Sequence, residues 1–253
     1  MVSPVRLTLA HVQRSKLPSV VAIIPVLNEA GAIGPTIAGL PGDVIDATIV
    51  VDGGSRDDTV KEAGAAGAEV LIETRPGYGR ACARGAARAR EIGATVALFL
   101  DGDGADPAEQ AAQLVGPVLA DEADFVLATR TRGHREPGSM GLHQVLAGRL
   151  VGRAIGLTCG VGYSDMSAFR AIRLDRLSTL PMREMTYGWN LEMQMRAARA
   201  GLRVREVPLP YRHRVAGRSK VAGTFRGTLK AGGQIIATFM RVWLRSPSPC
   251  GKG

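Results

Sequence analysis

Short apolar, β-branched runs recur at residues 20–24, 48–51, 70–72, 96–100 and 125–128, with helix-like segments between them. Strands alternating with helices at this interval predict βαβ crossovers. The expected fold class is therefore α/β, with a mostly parallel central sheet flanked by helices. Asp57 and Asp58 signal the start of a helix over 60–66, and Pro107 stands as a first-turn residue before a helix over 108–119.

Beyond Ala128 the rhythm changes. A polar, glycine-containing stretch at 129–141 reads as a mobile loop and 142–155 as a helix. A return to the sheet within 163–172, a helix over 190–200 and a strand over 203–209 follow. At 227–244, Leu229, Ile235, Ile236, Phe239, Met240, Trp243 and Leu244 recur at amphipathic spacing, with Lys230 and Arg241 among them. The expected organisation is a flexible leader at 1–18, one domain at 19–225, an amphipathic helix at 226–245 and a disordered tail at 246–253.

A chain of 253 residues with 45% hydrophobic content can bury one large core. Its net charge of +9 is nearly all arginine, since Lys16, Lys61, Lys220, Lys230 and Lys252 are the only lysines. Arginine's planar fork suits phosphate oxygens, so anionic partners are expected, although a genomic bias toward arginine, alanine and glycine gives the same totals. Scarce aromatics and the lack of a basic recognition helix argue against nucleic acid. Cys82, Cys159 and Cys250 are too dispersed for a structural zinc site and too few for a disulfide framework, which fits a reducing cytoplasm. His11, Gln13, Arg14 and Lys16 interrupt any signal-like run, and no segment is long and apolar enough to span a bilayer.

Open α/β sheets bind ligands beyond the carboxyl ends of their strands. Here the first strand runs into Pro25, Asn28 and Glu29, the second into Asp52, Gly53 and Gly54, and the fourth into Asp101, Gly102 and Asp103. One acidic turn is usually a cap; three at neighbouring strand ends point to a site. Asp101 and Asp103, alternating as they leave a strand, can hold one hard cation, magnesium or manganese, while the small Gly102 allows close ligand approach. A diphosphate would complete the shell. Arg214 and Lys220, separated by Gly217 and Ser219, can bend toward that diphosphate. Arg130 and Arg132, at the start of the mobile stretch, are candidates for an acceptor phosphate.

Three segments, Ile24-Pro25-Val26-Leu27-Asn28-Glu29, Val50-Val51-Asp52-Gly53-Gly54-Ser55-Arg56-Asp57-Asp58-Thr59 and Asp101-Gly102-Asp103, resemble family 2 glycosyltransferases of Rossmann-like GT-A fold. Two later ones, Asp165-Met166-Ser167-Ala168-Phe169-Arg170 and Arg214-Val215-Ala216-Gly217-Arg218-Ser219-Lys220, resemble the dolichyl-phosphate mannose synthase branch. The resemblance spans about residues 19–225. It implies that Pro25, Leu27, Glu29 and Asp52 hold the nucleoside of a GDP- or UDP-linked sugar, and that Asp101 and Asp103 bind metal and ribose or phosphate. Arg80, in the loop that replaces the family's Gly-Lys-Gly segment, is a candidate cation near the nucleotide. Two departures, Gly53 for a second acidic residue and Ala105 for a metal-binding glutamine, thin the expected metal shell.

In that branch the acceptor is a polyprenyl phosphate, already anionic, so direct displacement would invert the anomeric carbon, with the metal bound at Asp103, Arg214 and Lys220 screening the two anionic reactants. A soluble hydroxyl acceptor would instead need a base, for which Asp165 and Glu192 are candidates; Asp165 could equally orient Arg170 or cap a turn. The C-terminal helix has three fates: packing on the domain, forming a homodimer, or making peripheral contact with the inner membrane face. A non-catalytic sugar-nucleotide-binding scaffold is the reading from another class.

Overall fold

The computed structural model of the chain describes residues 19–216 and 225–245, so the expected leader, the tail and Lys220 lie outside the described residues. All seven residues of β1 (Val20–Val26) are buried. Val20, Ala22, Ile24 and Val26 face one apolar cluster, and Val21 and Ile23 face another. A strand covered on both sides has no reason to alternate apolar with polar, and this one does not.

β2 (Ala47–Asp52) and β3 (Glu69–Ile72) extend the parallel sheet on one side of β1, and β4 (Val96–Phe99) on the other. β6 (Arg170–Arg173) runs antiparallel between β4 and β5 (Phe125–Thr129), and β7 (Val204–Pro208) lies parallel to β5 at the edge. The order of the seven strands is β3-β2-β1-β4-β6-β5-β7. The strand expected within 163–172 is thus confined to its end. Upstream, Met166 donates its N–H to the Asp165 side chain and Phe169 to the Ser167 hydroxyl, local bonds that compete with a sheet ladder.

On one face lie α1 (Ile33–Ala38), α2 (Thr59–Ala65) and α4 (Ala111–Leu119). The helix expected over 108–119 opens as a 3-10 turn at Ala108–Gln110. The opposite face carries α3 (Tyr78–Glu91), α5 (Leu142–Cys159), α6 (Leu174–Thr179), α7 (Trp189–Arg199) and α8 (Phe225–Arg245). α8 buries Val242 and is fastened by Glu184, whose buried carboxylate accepts from Thr238 Oγ1 at 2.9 Å and Arg241 at 3.0 Å.

Close approaches are bought with glycine rather than with shape. A Cβ on Gly85 of α3 would collide with the Ile23 side chain of β1. In α5 a Cβ on Gly152 would overlap the Tyr163 carbonyl, and one on Gly156 would stand 3.1 Å from Gly162 Cα. α5 therefore lies directly on the segment that leads to Asp165. Gly152→Ala should lower unfolding stability by roughly 1–3 kcal/mol through overpacking. Gly64→Ala, on α2 with open space around it, should raise stability by roughly 0.5–1 kcal/mol. Urea unfolding of both variants tests the contrast; equal effects would mean that α5 does not sit this close.

Candidate active site

Because β1 lies between β2 and β4, the three acidic turns leave the sheet side by side. Asp52 pairs with Val26 at the end of the β1 ladder, and Gly53 N–H donates to the Val26 carbonyl at 2.9 Å. The β1 exit turns at Asn28, whose φ of 49° is tolerated by asparagine. Its Oδ1 accepts from Arg56 N–H, and its own N–H donates to Ser55 Oγ, both at 2.8 Å. The Glu29 N–H donates to Thr59 Oγ1 at 2.8 Å, and Gly31 N–H to Glu62 at 2.6 Å. The first two turns are thus one hydrogen-bonded unit.

Within it Pro25 is buried in β1 and Leu27 stands 40% exposed at the rim. Asp52 is buried, and its carboxylate accepts from Gly54 N–H, Ser55 N–H and Ser55 Oγ. It shapes the turn that presents Gly53 and Gly54. Gly102 differs from expectation in its reason for being small. A Cβ there would meet Val26 Cγ1 at 2.6 Å and Ile24 Cγ2 at 3.3 Å, so the space it leaves is filled by core, and close ligand approach is not what it provides.

The strongest grouping forms around Asp103. Arg214 Nη2 lies 2.7 Å from Asp103 Oδ2, and its Nη1 lies 3.6 Å from Glu29 Oε1. The chain after β7 is laid across the β4 turn by two backbone bonds, Arg212 N–H to Ala105 O at 3.0 Å and Val215 N–H to Asp103 O at 2.9 Å. Gly104, at φ 75°, leaves room for Val215. Burial, then the neighbouring Asp103 charge, push the Asp101 carboxyl up to about 6 against the opposing pull of Arg130 and Arg214. Asp106, deeper still, is pushed up to about 8 by burial and by Asp101. This rim holds more negative charge than its arginines neutralise, the condition under which a hard cation binds carboxylates well. Among the described residues no cage of three or more His, Cys, Asp or Glu ligands forms, so Asp101 and Asp103 could be only part of a metal's shell.

The second grouping is Arg130 with Asp165. Arg130 Nε and Nη2 each donate to the Asp165 carboxylate at 2.8 Å, and the Arg130 N–H adds a third bond at 2.9 Å. The guanidinium also lies over the Tyr211 ring, 4.9 Å from its centroid. Burial would raise the Asp165 pKa, but the bonds and charge of Arg130 outweigh it and hold the carboxyl below its ordinary value. Asp165 therefore orients Arg130, while Arg170 is held by the carbonyls of Asn190 and Ser167. Glu192, the other candidate base, accepts from the Arg183 and Glu184 N–H groups and from Arg196.

Arg132 is 65% exposed and only 3.6 Å from Glu206. Arg80 sits in the first turn of α3, where its N–H donates to Met185 O at 3.1 Å; its side chain makes no ion pair among the described residues. Tyr211 is the contributor that sequence reasoning missed. Its only signal was an aromatic residue opening the basic run 212–214.

The family model for glycosyl transferase family 2 matches residues 21–177. An uncharacterized glycosyltransferase of Mycobacterium tuberculosis is 32% identical over 217 residues, covering 84% of this chain and 94% of that protein. The undecaprenyl-phosphate mannosyltransferase of Micrococcus luteus is 31% identical over 223 residues, covering 82% and 89%. Among solved structures, glucosyl-3-phosphoglycerate synthase from Mycobacterium tuberculosis, in complex with Mn2+, UDP-glucose and phosphoglyceric acid, aligns with a TM-score of 0.71 at 26% identity, covering 93% of this chain and 83% of that one. The architecture is the GT-A fold of nucleotide-sugar glycosyltransferases. This chain belongs to glycosyl transferase family 2.

Asp165→Asn should destabilise the fold by about 3 kcal/mol, because it leaves the Arg130 charge without its partner in a largely buried place. A depressed carboxyl stabilises the fold above its unfolded value and loses that contribution as pH falls through the folded one. The gap between wild type and variant in urea unfolding should therefore close below about pH 4. A gap that persists unchanged at lower pH would contradict the charge pairing.

Proposed function

We propose that this chain is a divalent-metal-dependent, inverting glycosyltransferase that moves a sugar from a nucleoside diphosphate to the phosphate of a polyprenyl phosphate, as in the dolichyl-phosphate mannose synthase branch. The observation that carries the reading is the convergence of Asp103 and Glu29 on Arg214 at adjacent strand ends, with Asp101 close enough to feel the charges of all three. Asp101 and Asp103 would hold Mn2+ or Mg2+, the oxygen-ligand chemistry that the solved relative's Mn2+ and UDP-glucose complex supports. A bound ion of this kind neutralises charge on a departing nucleoside diphosphate.

The chain's own residues would then divide the work. Arg214, already paired with Asp103, is placed to exchange that partner for a phosphate oxygen. Exposed Leu27 offers an apolar surface for a base beside the Gly53–Gly54 turn. Arg130, held rigid by Asp165 and Tyr211, would orient the acceptor phosphate. Both nominated bases, Asp165 and Glu192, are fully engaged in hydrogen bonds. An acceptor that is already anionic needs neither, which favours a phosphate over a hydroxyl.

The second reading is transfer to a soluble phosphorylated acid, favoured by the likeness to the complex containing phosphoglyceric acid. Purified protein with Mn2+ and radiolabelled UDP- and GDP-sugars should give product extractable into organic solvent with polyprenyl phosphate. Product formed only with 3-phosphoglycerate would shift the assignment to the soluble acceptor, and no transfer from any donor would leave the scaffold reading. Product from an α-linked donor should be β-linked by NMR.

Two further outcomes follow from the same site. Asp103→Ala should abolish the Mn2+-dependent part of nucleoside diphosphate binding in calorimetry. Asp101, pushed up to about 6, must lose its proton to ligate metal. Wild-type affinity for Mn2+ with the nucleotide should therefore hold above that value and fall roughly tenfold per pH unit below it. Affinity that stays flat down to pH 5 would remove Asp101 from the metal site.

A further inference from the structure

α5 carries apolar side chains on its exposed face as well as on its buried one. Its inward positions are Val145, Gly148, Gly152, Ile155 and Cys159, all buried. The outward stripe at the same helical spacing is Leu146, Leu150, Arg153 and Leu157, with Arg149 beside it. The three leucines are 56%, 72% and 89% exposed. Glycines draw the inner face tight, and the three leucines are left pointing outward. Isolated exposed leucines need no explanation; three on one stripe of one helix do.

We propose that this stripe docks on an anionic lipid surface, the leucines entering the interface and Arg149 and Arg153 meeting lipid headgroups. Three observations favour that occupant. Leu142–Cys159 contains both arginines and no acidic residue, so the stripe meets an anionic surface with two cations and no carboxylate of its own helix. A second copy of the chain fits worse, because a twofold contact through this face would set Arg149 and Arg153 against their own images. The helix that carries the stripe also adjoins the acceptor side of the site through its buried face: a Cβ on Gly148 would stand 3.8 Å from Asp165 Oδ1, and Asp165 carries Arg130. One helix would thus carry the lipid-facing stripe on its outer side and adjoin the acceptor-phosphate site on its inner side. That last link rests on the proposed lipid-phosphate acceptor, while the docking itself does not.

Vesicle co-sedimentation tests the inference directly. Wild type should partition onto vesicles of phosphatidylcholine mixed with phosphatidylglycerol at least about tenfold better than onto phosphatidylcholine alone, and rising salt should weaken the binding. Leu150→Gln/Leu157→Gln and, separately, Arg149→Gln/Arg153→Gln should each lose about tenfold or more of that partitioning. Nucleoside diphosphate and Mn2+ binding, measured in parallel, should be unchanged in both. Variants that bind vesicles as wild type does, a wild type indifferent to phosphatidylglycerol, or a concentration-dependent dimer broken by the leucine changes would each overturn the proposal. Vesicle binding by a protein that binds no nucleotide would leave the surface standing and sink the proposed function instead.

Discussion

Negative charge held out of water at the carboxyl end of β4 is the constraint on which the site depends. Asp101, Asp103 and Asp106 leave one strand within six residues, and Glu29 approaches from the neighbouring turn. Like charges in a poorly solvated place repel strongly enough to keep protons on, and Asp101 and Asp106 are displaced upward accordingly. Arg214 and Arg130 relieve part of that repulsion. Both come from segments distant in sequence, one after β7 and one after β5. The sheet order explains how they arrive, because β6 and β5 follow β4 and put β7 on the same side of the molecule.

The same constraint separates the roles of the two arginines. Arg130 is locked by a bidentate carboxylate, a backbone bond and an aromatic face, so it offers a fixed position. Arg214 has one close oxygen partner and a second, looser contact, so it can change partners. Under the proposed reaction, with an anionic donor and an anionic acceptor, one cation of each kind has a use. Rigid elements set the first, and a connector stitched across the β4 turn sets the second.

Much of this was legible in the chain. The five leading strands were visible because buried parallel strands read as unbroken apolar runs, and the three acidic turns because they close those runs. What escaped the sequence were effects of packing. Gly102 looks like a ligand-facing glycine until Val26 and Ile24 are seen filling its space. Asp165 and Arg130 stand 35 residues apart, and no local pattern announces a pair at that separation. β6 was read too long because Asp165 and Ser167 divert the backbone before it reaches the sheet. The outward leucines of α5 were hidden for a related reason: helical periodicity tells which residues share a face, and the glycines decide which face goes in.

If the proposed function holds, Asp101 and Asp103 form one cation site, with the Asp103–Arg214 contact as its resting charge balance. Anomalous diffraction from crystals grown with Mn2+ and a nucleoside diphosphate measures this most directly. A manganese peak should stand within coordination distance of both carboxylates, with Arg214 moved from Asp103 onto a phosphate oxygen. A peak elsewhere, with the Asp103–Arg214 contact intact, would contradict it.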